Sequence, residues 1–184
     1  MSEPESNADQ RRHQVLEAAL SAIAEVGADR VRMTDIARRA GMTPGHILYY
    51  FERKERILAE TLRLSEQELA TQRRRTLDRS RTPRRRLERF IDLYLPAGRN
   101  DTRWNLWTQL LIRPAGDAET AELLEQLNNL WRDDLTALLD GDRNRALRLC
   151  YLMDGLAWDM LVGLLTKAQA RALALAQLDA EPVG

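Results

Sequence analysis

Between Met33 and Leu58 the chain reads MTDIARRAGMTPGHILYYFERKERIL, a stretch with little for covalent chemistry and much for holding phosphate. Thr34, Thr43, Tyr49, Tyr50 and Lys54 carry hydroxyl or ammonium donors, and Gly45 removes a side chain where backbone approaches a polyanion. Thr43 can accept a hydrogen bond from an orphan helix N–H. Pro44 suits a first turn, because its missing N–H would be unpaired anyway. The helix N-terminus so formed is itself an anion site. His46 either reads a base or phosphate in the major groove or simply lines the surface. These groups need two short helices, about Thr34 to Ala40 and Pro44 to Tyr50, joined by a tight turn at Gly41-Met42. Ile36, Ala37, Ala40, Ile47 and Phe51 would face inward, and the two alanines let the helices cross closely. That is helix-turn-helix geometry.

Elsewhere the chain offers little from which to build a catalyst. It has two histidines and one cysteine, no phosphate-cradling glycine loop, no metal-ligand spacing and no Ser/His/Asp set. No enzyme activity, metal or cofactor is expected. A purely architectural DNA binder would leave everything beyond about Pro83 unexplained. Cys150, beside Leu149, Tyr151 and Leu152, reads as a buried inert thiol, and His13 as a solvated helix residue. Arg73-Arg74-Arg75 and Arg84-Arg85-Arg86 read as a solvated face, since a helix rising about 1.5 Å per residue carries Arg73 roughly 30 Å from Lys54. Trp104, Trp107, Trp131 and Trp158, with Tyr94, Tyr151, Asp154 and Asp159, are either plain core or the lining of a small-molecule cavity.

The elements that must position these groups are all helical. Apolar residues recur at spacings of three and four, and nothing alternates as a strand would. Helices are expected at about Arg11 to Val26, Thr34 to Ala40, Pro44 to Tyr50, Lys54 to Arg79, Arg84 to Leu95, Thr102 to Ile112, Asp117 to Leu139, Arg143 to Leu165 and Lys167 to Leu178. Gly27, Gly41, Thr82-Pro83, Pro96-Ala97-Gly98, Arg113-Pro114-Ala115-Gly116 and Asp140-Gly141-Asp142 supply the breaks. The division follows: residues 1–10 a disordered tail, 11–53 a DNA-binding domain, 54–79 a connecting helix, 80–179 a ligand-binding and dimerisation domain, 180–184 a tail.

Net charge is zero over 184 residues, so the chain is not a globally basic nucleic-acid binder. The distribution is uneven: Arg30 to Arg56 holds seven basic residues against three acids, and Asn100 onward eight against thirteen. A single cysteine excludes a disulfide framework within the chain. No run reaches the roughly 18 apolar residues of a membrane helix, and the polar start is unlike a signal peptide. A cytoplasmic protein without membrane contact is expected.

The segment resembles the signature of the TetR family of transcriptional regulators, carried by Ile36-Ala37, Ala40-Gly41, Thr43, Gly45, Tyr49-Tyr50-Phe51 and Lys54. With the first helix the likeness covers about 45 residues. Residues Arg103 to Leu139, with Trp104, Trp107 and Trp131, are similar to the ligand domain of the choline-responsive, BetI-like branch. Two positions depart from the pattern: Leu48 stands where a DNA-contacting tyrosine is common, and Arg32 where a threonine starts the second helix, leaving Thr34 as cap or contact. The resemblance implies a ligand-responsive repressor that leaves a palindromic operator when a small-molecule effector, here a flat or cationic one, binds. It also implies a homodimer built from the last two long helices, whose apolar stripes comprise Leu149, Leu152, Met153, Leu156, Met160, Leu164 and then Leu173.

Overall fold

Glycines, prolines and short polar caps set the ends of the helices, as their backbone chemistry requires. The computed structural model describes residues 3–112 and 118–180, and among these the chain forms nine α-helices and no strand. They are α1 (Glu3–Val26), α2 (Met33–Ala40), α3 (Pro44–Phe51), α4 (Lys54–Asp78), α5 (Pro83–Tyr94), α6 (Thr102–Ile112), α7 (Ala118–Leu138), α8 (Arg143–Val162) and α9 (Lys167–Ala180). The expected break at Arg113-Pro114-Ala115-Gly116 lies outside the described residues, as does the terminal tail beyond Ala180.

The N-terminal segment is a correction. The first helix starts at Glu3, within what reads in sequence as a frayed tail. Pro4 is tolerated in a first turn, where its missing N–H has no partner to lose, and no helix breaker follows before Gly27. The caps match their chemistry. Gly27 and Gly41 adopt left-handed φ values of 88° and 63° behind α1 and α2. Thr82 accepts from the Arg85 N–H at 3.2 Å with Pro83 opening α5, and Asp142 accepts from the Arg145 N–H at 2.9 Å to open α8. α2 is capped differently from expectation. Arg32 takes the cap position and its N–H donates to Asp35 Oδ2 at 3.0 Å, so Thr34 sits exposed one step inside the helix and caps nothing.

Helix contacts divide the described chain into two compact units at places that composition does not mark. Unit 1 holds the residues up to Glu66 together with Thr102–Leu123; unit 2 holds Gln67–Asp101 and the residues from Leu124 onward. Within the segment 80–179, α6 packs on α1 and groups with unit 1. One boundary falls inside the continuous helix α4.

In unit 1, Ile23, Ile36, Ile47, Phe51, Ile57, Leu58 and Leu62 are fully buried. Each contributes roughly 1.5–3 kcal/mol by leaving water. An isolated eight-residue helix is marginal in water, so this burial, more than propensity, holds α2 and α3 in shape. In unit 2, Phe90, Ile91, Leu95, Leu135 and Met153 form the interior. Ala146, Ala157, Ala170 and Ala174 are fully buried on α8 and α9, where small side chains let these two packed helices approach closely.

Candidate nucleic-acid interface and aromatic clusters

The α2–α3 pair begins with its turn. Gly41, at φ 63° and ψ 32°, ends α2 in the left-handed region, and the Met42 N–H donates back to the Ala37 carbonyl at 3.0 Å. Thr43 Oγ1 then accepts the His46 N–H at 3.2 Å, and Pro44 opens α3. The helix turns Ile47 and Phe51 into the core and leaves Thr43, Gly45, His46 and Tyr49 outside. Tyr49 is 81% exposed. Tyr50 and Lys54 are half-buried at the same end, with Tyr50 ring-packed against His46 at 5.2 Å and Tyr49 at 5.4 Å. Leu48, at the departure from the family pattern, is 39% exposed.

Gly45 is informative because the fold does not need it. A Cβ built there meets nothing within 4 Å, and its φ is not left-handed. Helix propensity disfavours glycine at such a site by roughly 1 kcal/mol relative to alanine. The open space above its backbone is available to something outside the chain.

Sequence reasoning missed the residues that hold α3 in place. The Arg12 guanidinium donates to the Tyr50 carbonyl at 2.6 Å and to both Glu60 oxygens at 2.6 Å, and lies 4.5 Å from the centroid of the Phe51 ring. It thereby ties α1 to the C-terminal end of α3 and to α4. Arg56 shares Glu60 at 3.2 Å. Gln14 donates to the Ala40 carbonyl at 3.0 Å, satisfying an orphan acceptor at the end of α2. Arg39 pairs with Glu25, fastening α2 to α1 from the other side. Nothing local marks Arg12 or Gln14, whose partners lie 26 to 48 residues away.

The aromatic residues divide between the two units. In unit 1, Trp104 and Trp107 are buried on α6. Trp107 Nε1 donates to Glu66 Oε1 at 2.7 Å, and Arg103 pairs with the same carboxylate at 3.2 Å while lying 5.3 Å from the Trp104 ring. Glu66, 4% exposed, is a further residue that sequence reading overlooked.

In unit 2, Trp131 meets Phe90 edge-on at 5.3 Å and Tyr94 at 5.0 Å. The Tyr94 hydroxyl donates to Asp154 Oδ1 at 2.5 Å. Burial pushes the Asp154 carboxyl above its ordinary range, against the opposing pull of the Tyr94 hydrogen bond and the Arg132 charge. Arg73 lies 3.9 Å over the Trp131 ring and pairs with Asp134 at 2.5 Å, so a guanidinium already occupies one indole face. Cys150 is buried in this unit, and desolvation, with the Asp154 charge, pushes its thiol up to about 12. It stays a neutral thiol at physiological pH.

Tyr151 and Trp158 stand apart from that cluster, 60% and 41% exposed on the outer side of α8. The apolar stripe expected for the dimer is only partly exposed. Leu149, Met153, Leu156 and Met160 point into unit 2, and Leu152 is half-buried. The uncovered side of α8 carries Tyr151, Gly155, Trp158 and Val162, while Leu164 and Leu173 are exposed beyond it and on α9. Both sides of α8 are apolar, so periodicity alone could not say which one the chain covers itself.

Residues 15–61 match the model for bacterial regulatory proteins of the tetR family. Over 83 residues the chain is 40% identical to the HTH-type transcriptional regulator BetI of Pectobacterium carotovorum, covering 44% of this chain and 43% of that protein. The chain thus matches less than half the length of that relative. It is 25% identical over 174 residues to the BetI of Brucella anthropi, covering 91% and 90% of the two chains. Among solved structures, a transcriptional regulator from Saccharomonospora viridis in complex with choline superposes with a TM-score of 0.80 at 25% identity, covering 93% and 96%. A TetR transcription regulator from Haloarcula marismortui gives 0.78 at 18% identity, covering 94% and 98%, which speaks to the fold alone.

Proposed function

Because this chain belongs to the TetR family of bacterial transcriptional regulators, on its BetI-like side, we propose that it is a cytoplasmic, ligand-responsive repressor. It holds a palindromic operator as a two-fold dimer and leaves it when a small organic cation binds. The observation that carries the DNA reading is the outer face of α3. Thr43, His46 and Tyr49 stand in solvent around a glycine that the fold itself does not require. In this reading α3 enters the major groove, Tyr49, Tyr50 and Lys54 hold phosphates, and Thr34, Thr43, Pro44 and His46 face the base edges. Successive half-sites lie about 34–36 Å apart.

The effector reading rests on Tyr94, Trp131 and Asp154 standing together in unit 2 and on the choline bound by the Saccharomonospora viridis neighbour. Indole faces attract cations by roughly 0.5–2 kcal/mol each. Trp104 and Trp107 belong to unit 1 and keep their own partners, so the unit 2 cluster is the stronger candidate. The dimer reading rests on the uncovered apolar side of α8, Tyr151 to Val162, and on Leu173 of α9. In this reading the lever is the continuous helix α4, which starts at Lys54 and runs into unit 2. Clearing the operator requires the effector to favour the released conformation by several kcal/mol.

A gel shift on a palindromic operator, with and without choline and with an uncharged isostere, tests the reading. Release by choline alone is the expected result. Failure to bind any palindrome, with normal folding, would sink the repressor assignment; release by the neutral isostere alone would sink only the cation.

A further inference from the structure

From Arg73 to Arg89 the chain carries nine arginines and only two acids, Asp78 and Glu88, within a protein of zero net charge. A solvated face is the plain reading, but the structure sorts seven of these arginines into two kinds. Arg73 pairs with Asp134, Arg84 holds Asp179 through two nitrogens, and Arg86 donates to the Ser80 carbonyl. Arg79, Arg81, Arg85 and Arg89 instead line an open pocket of about 520 Å³ at the α4–α5 turn, with Thr76 and Thr82 beside them. Among the described residues, the side chains of Arg79 and Arg81 make no hydrogen bond or ion pair. Arg85 and Arg89 reach only distant carboxylates, at 3.9 and 3.7 Å, from exposed positions. Such pairs hold little.

We infer that this pocket binds a small polyanion carrying phosphoryl groups. Four arginines line one space, and an anion of two or more charges is the ligand whose charge they would complement. Guanidinium forks match phosphoryl oxygens two at a time. The N-terminus of the twelve-residue helix α5 opens on the same turn and adds its positive dipole end. The volume suits a small molecule, lying within the roughly 300–1,000 Å³ of ordinary ligand sites.

The turn is also held ready. Ser80, 8% exposed, donates through Oγ to the Thr76 carbonyl at 2.9 Å and through its N–H to Leu77 at 3.0 Å. Arg86 closes on the Ser80 carbonyl at 3.2 Å, and Thr82 caps α5. Little backbone ordering remains to oppose binding. The site lies within unit 2 and stands whether or not the operator reading does.

Calorimetric titration of the full chain with inorganic pyrophosphate, at about 0.15 M salt where surface steering is screened, tests the inference. Saturable binding of one pyrophosphate per chain is expected. Arg81→Ala with Arg85→Ala should weaken it by about tenfold or more, while Arg81→Lys with Arg85→Lys should lose less. Arg79→Gln, away from the α5 cap, reports the same loss if the double variant is unstable. Absence of saturable binding, or unchanged affinity in the variants, overturns the site. Equally tight tricarballylate overturns the phosphoryl assignment. If pyrophosphate fails to bind and the alanine variant instead loosens non-operator duplex DNA, the patch serves a nucleic acid and the inference falls.

Discussion

At the residue scale, Gly45 and Asp154 give the sharpest tests. A methyl group at Gly45 meets open space inside the fold, and alanine favours helix over glycine. Gly45→Ala should therefore raise thermal stability by roughly 0.5–1 kcal/mol and at the same time weaken operator binding, as read by melting and gel shift. A variant that binds normally would remove Gly45 from the contact face. Asp154 has a carboxyl raised chiefly by burial. Its contribution to stability is full at low pH, where the group is neutral in both states, and is lost as pH rises through its folded pKa. Asp154→Asn should flatten that fall in a melting series run upward from about pH 4. A cation opposite Asp154 needs the ionised form, so choline affinity should rise over the same window. A pH-independent choline affinity would exclude Asp154 from the effector site.

At the scale of elements, α3 is short and depends on its neighbours. Its C-terminal end is fixed by Arg12, which holds the Tyr50 carbonyl and the Glu60 carboxylate together. The end is also strained, because Glu52 sits at φ 63°, a region that glycine favours. Arg12→Ala leaves Glu60 with only Arg56 and frees the Tyr50 carbonyl. A loss of about 1–3 kcal/mol is expected, as for hydrogen bonds to charged groups. Because the change displaces α3 as a body, operator and non-operator DNA should both bind more weakly in proportion. Loss confined to one base position would mean that Arg12 acts by direct readout instead.

At the scale of the whole molecule, the proposed dimer places assembly on the uncovered side of α8. Tyr151, Trp158 and Val162 are exposed there, and Gly155 lies among them with nothing within 4 Å of a built Cβ. A glycine in an exposed helix costs about 1 kcal/mol. Among the described residues nothing requires it, whereas close approach by a second copy of α8 would. Gly155→Leu should shift the sedimentation profile toward monomer while leaving helix content unchanged, and Gly155→Ala should be tolerated better. An intact dimer with leucine at this position would move the interface off α8.

Among the described residues the nine helices, the breaks that fall there and the helix-turn-helix could be read directly from the chain, while the start of α1 could not. The reason is local: Thr43-Pro44, Thr82-Pro83, Asp142 and the left-handed glycines 27 and 41 act through their own backbone and near neighbours. The family signature was legible for the same reason, being packed into contiguous residues with fixed spacing. What depended on long-range pairing was not legible. Arg12 reaching Glu60, Trp107 reaching Glu66 and Tyr94 reaching Asp154 join residues 41 to 60 apart, and no periodicity records such partners. The same limit explains why spacing could not say that Trp104 and Trp107 fall in one unit and Trp131 and Trp158 in the other, or which side of α8 the chain covers itself. Hydrophobic spacing says that a face is buried; only the packed chain decides whether its own core covers that face or leaves it open.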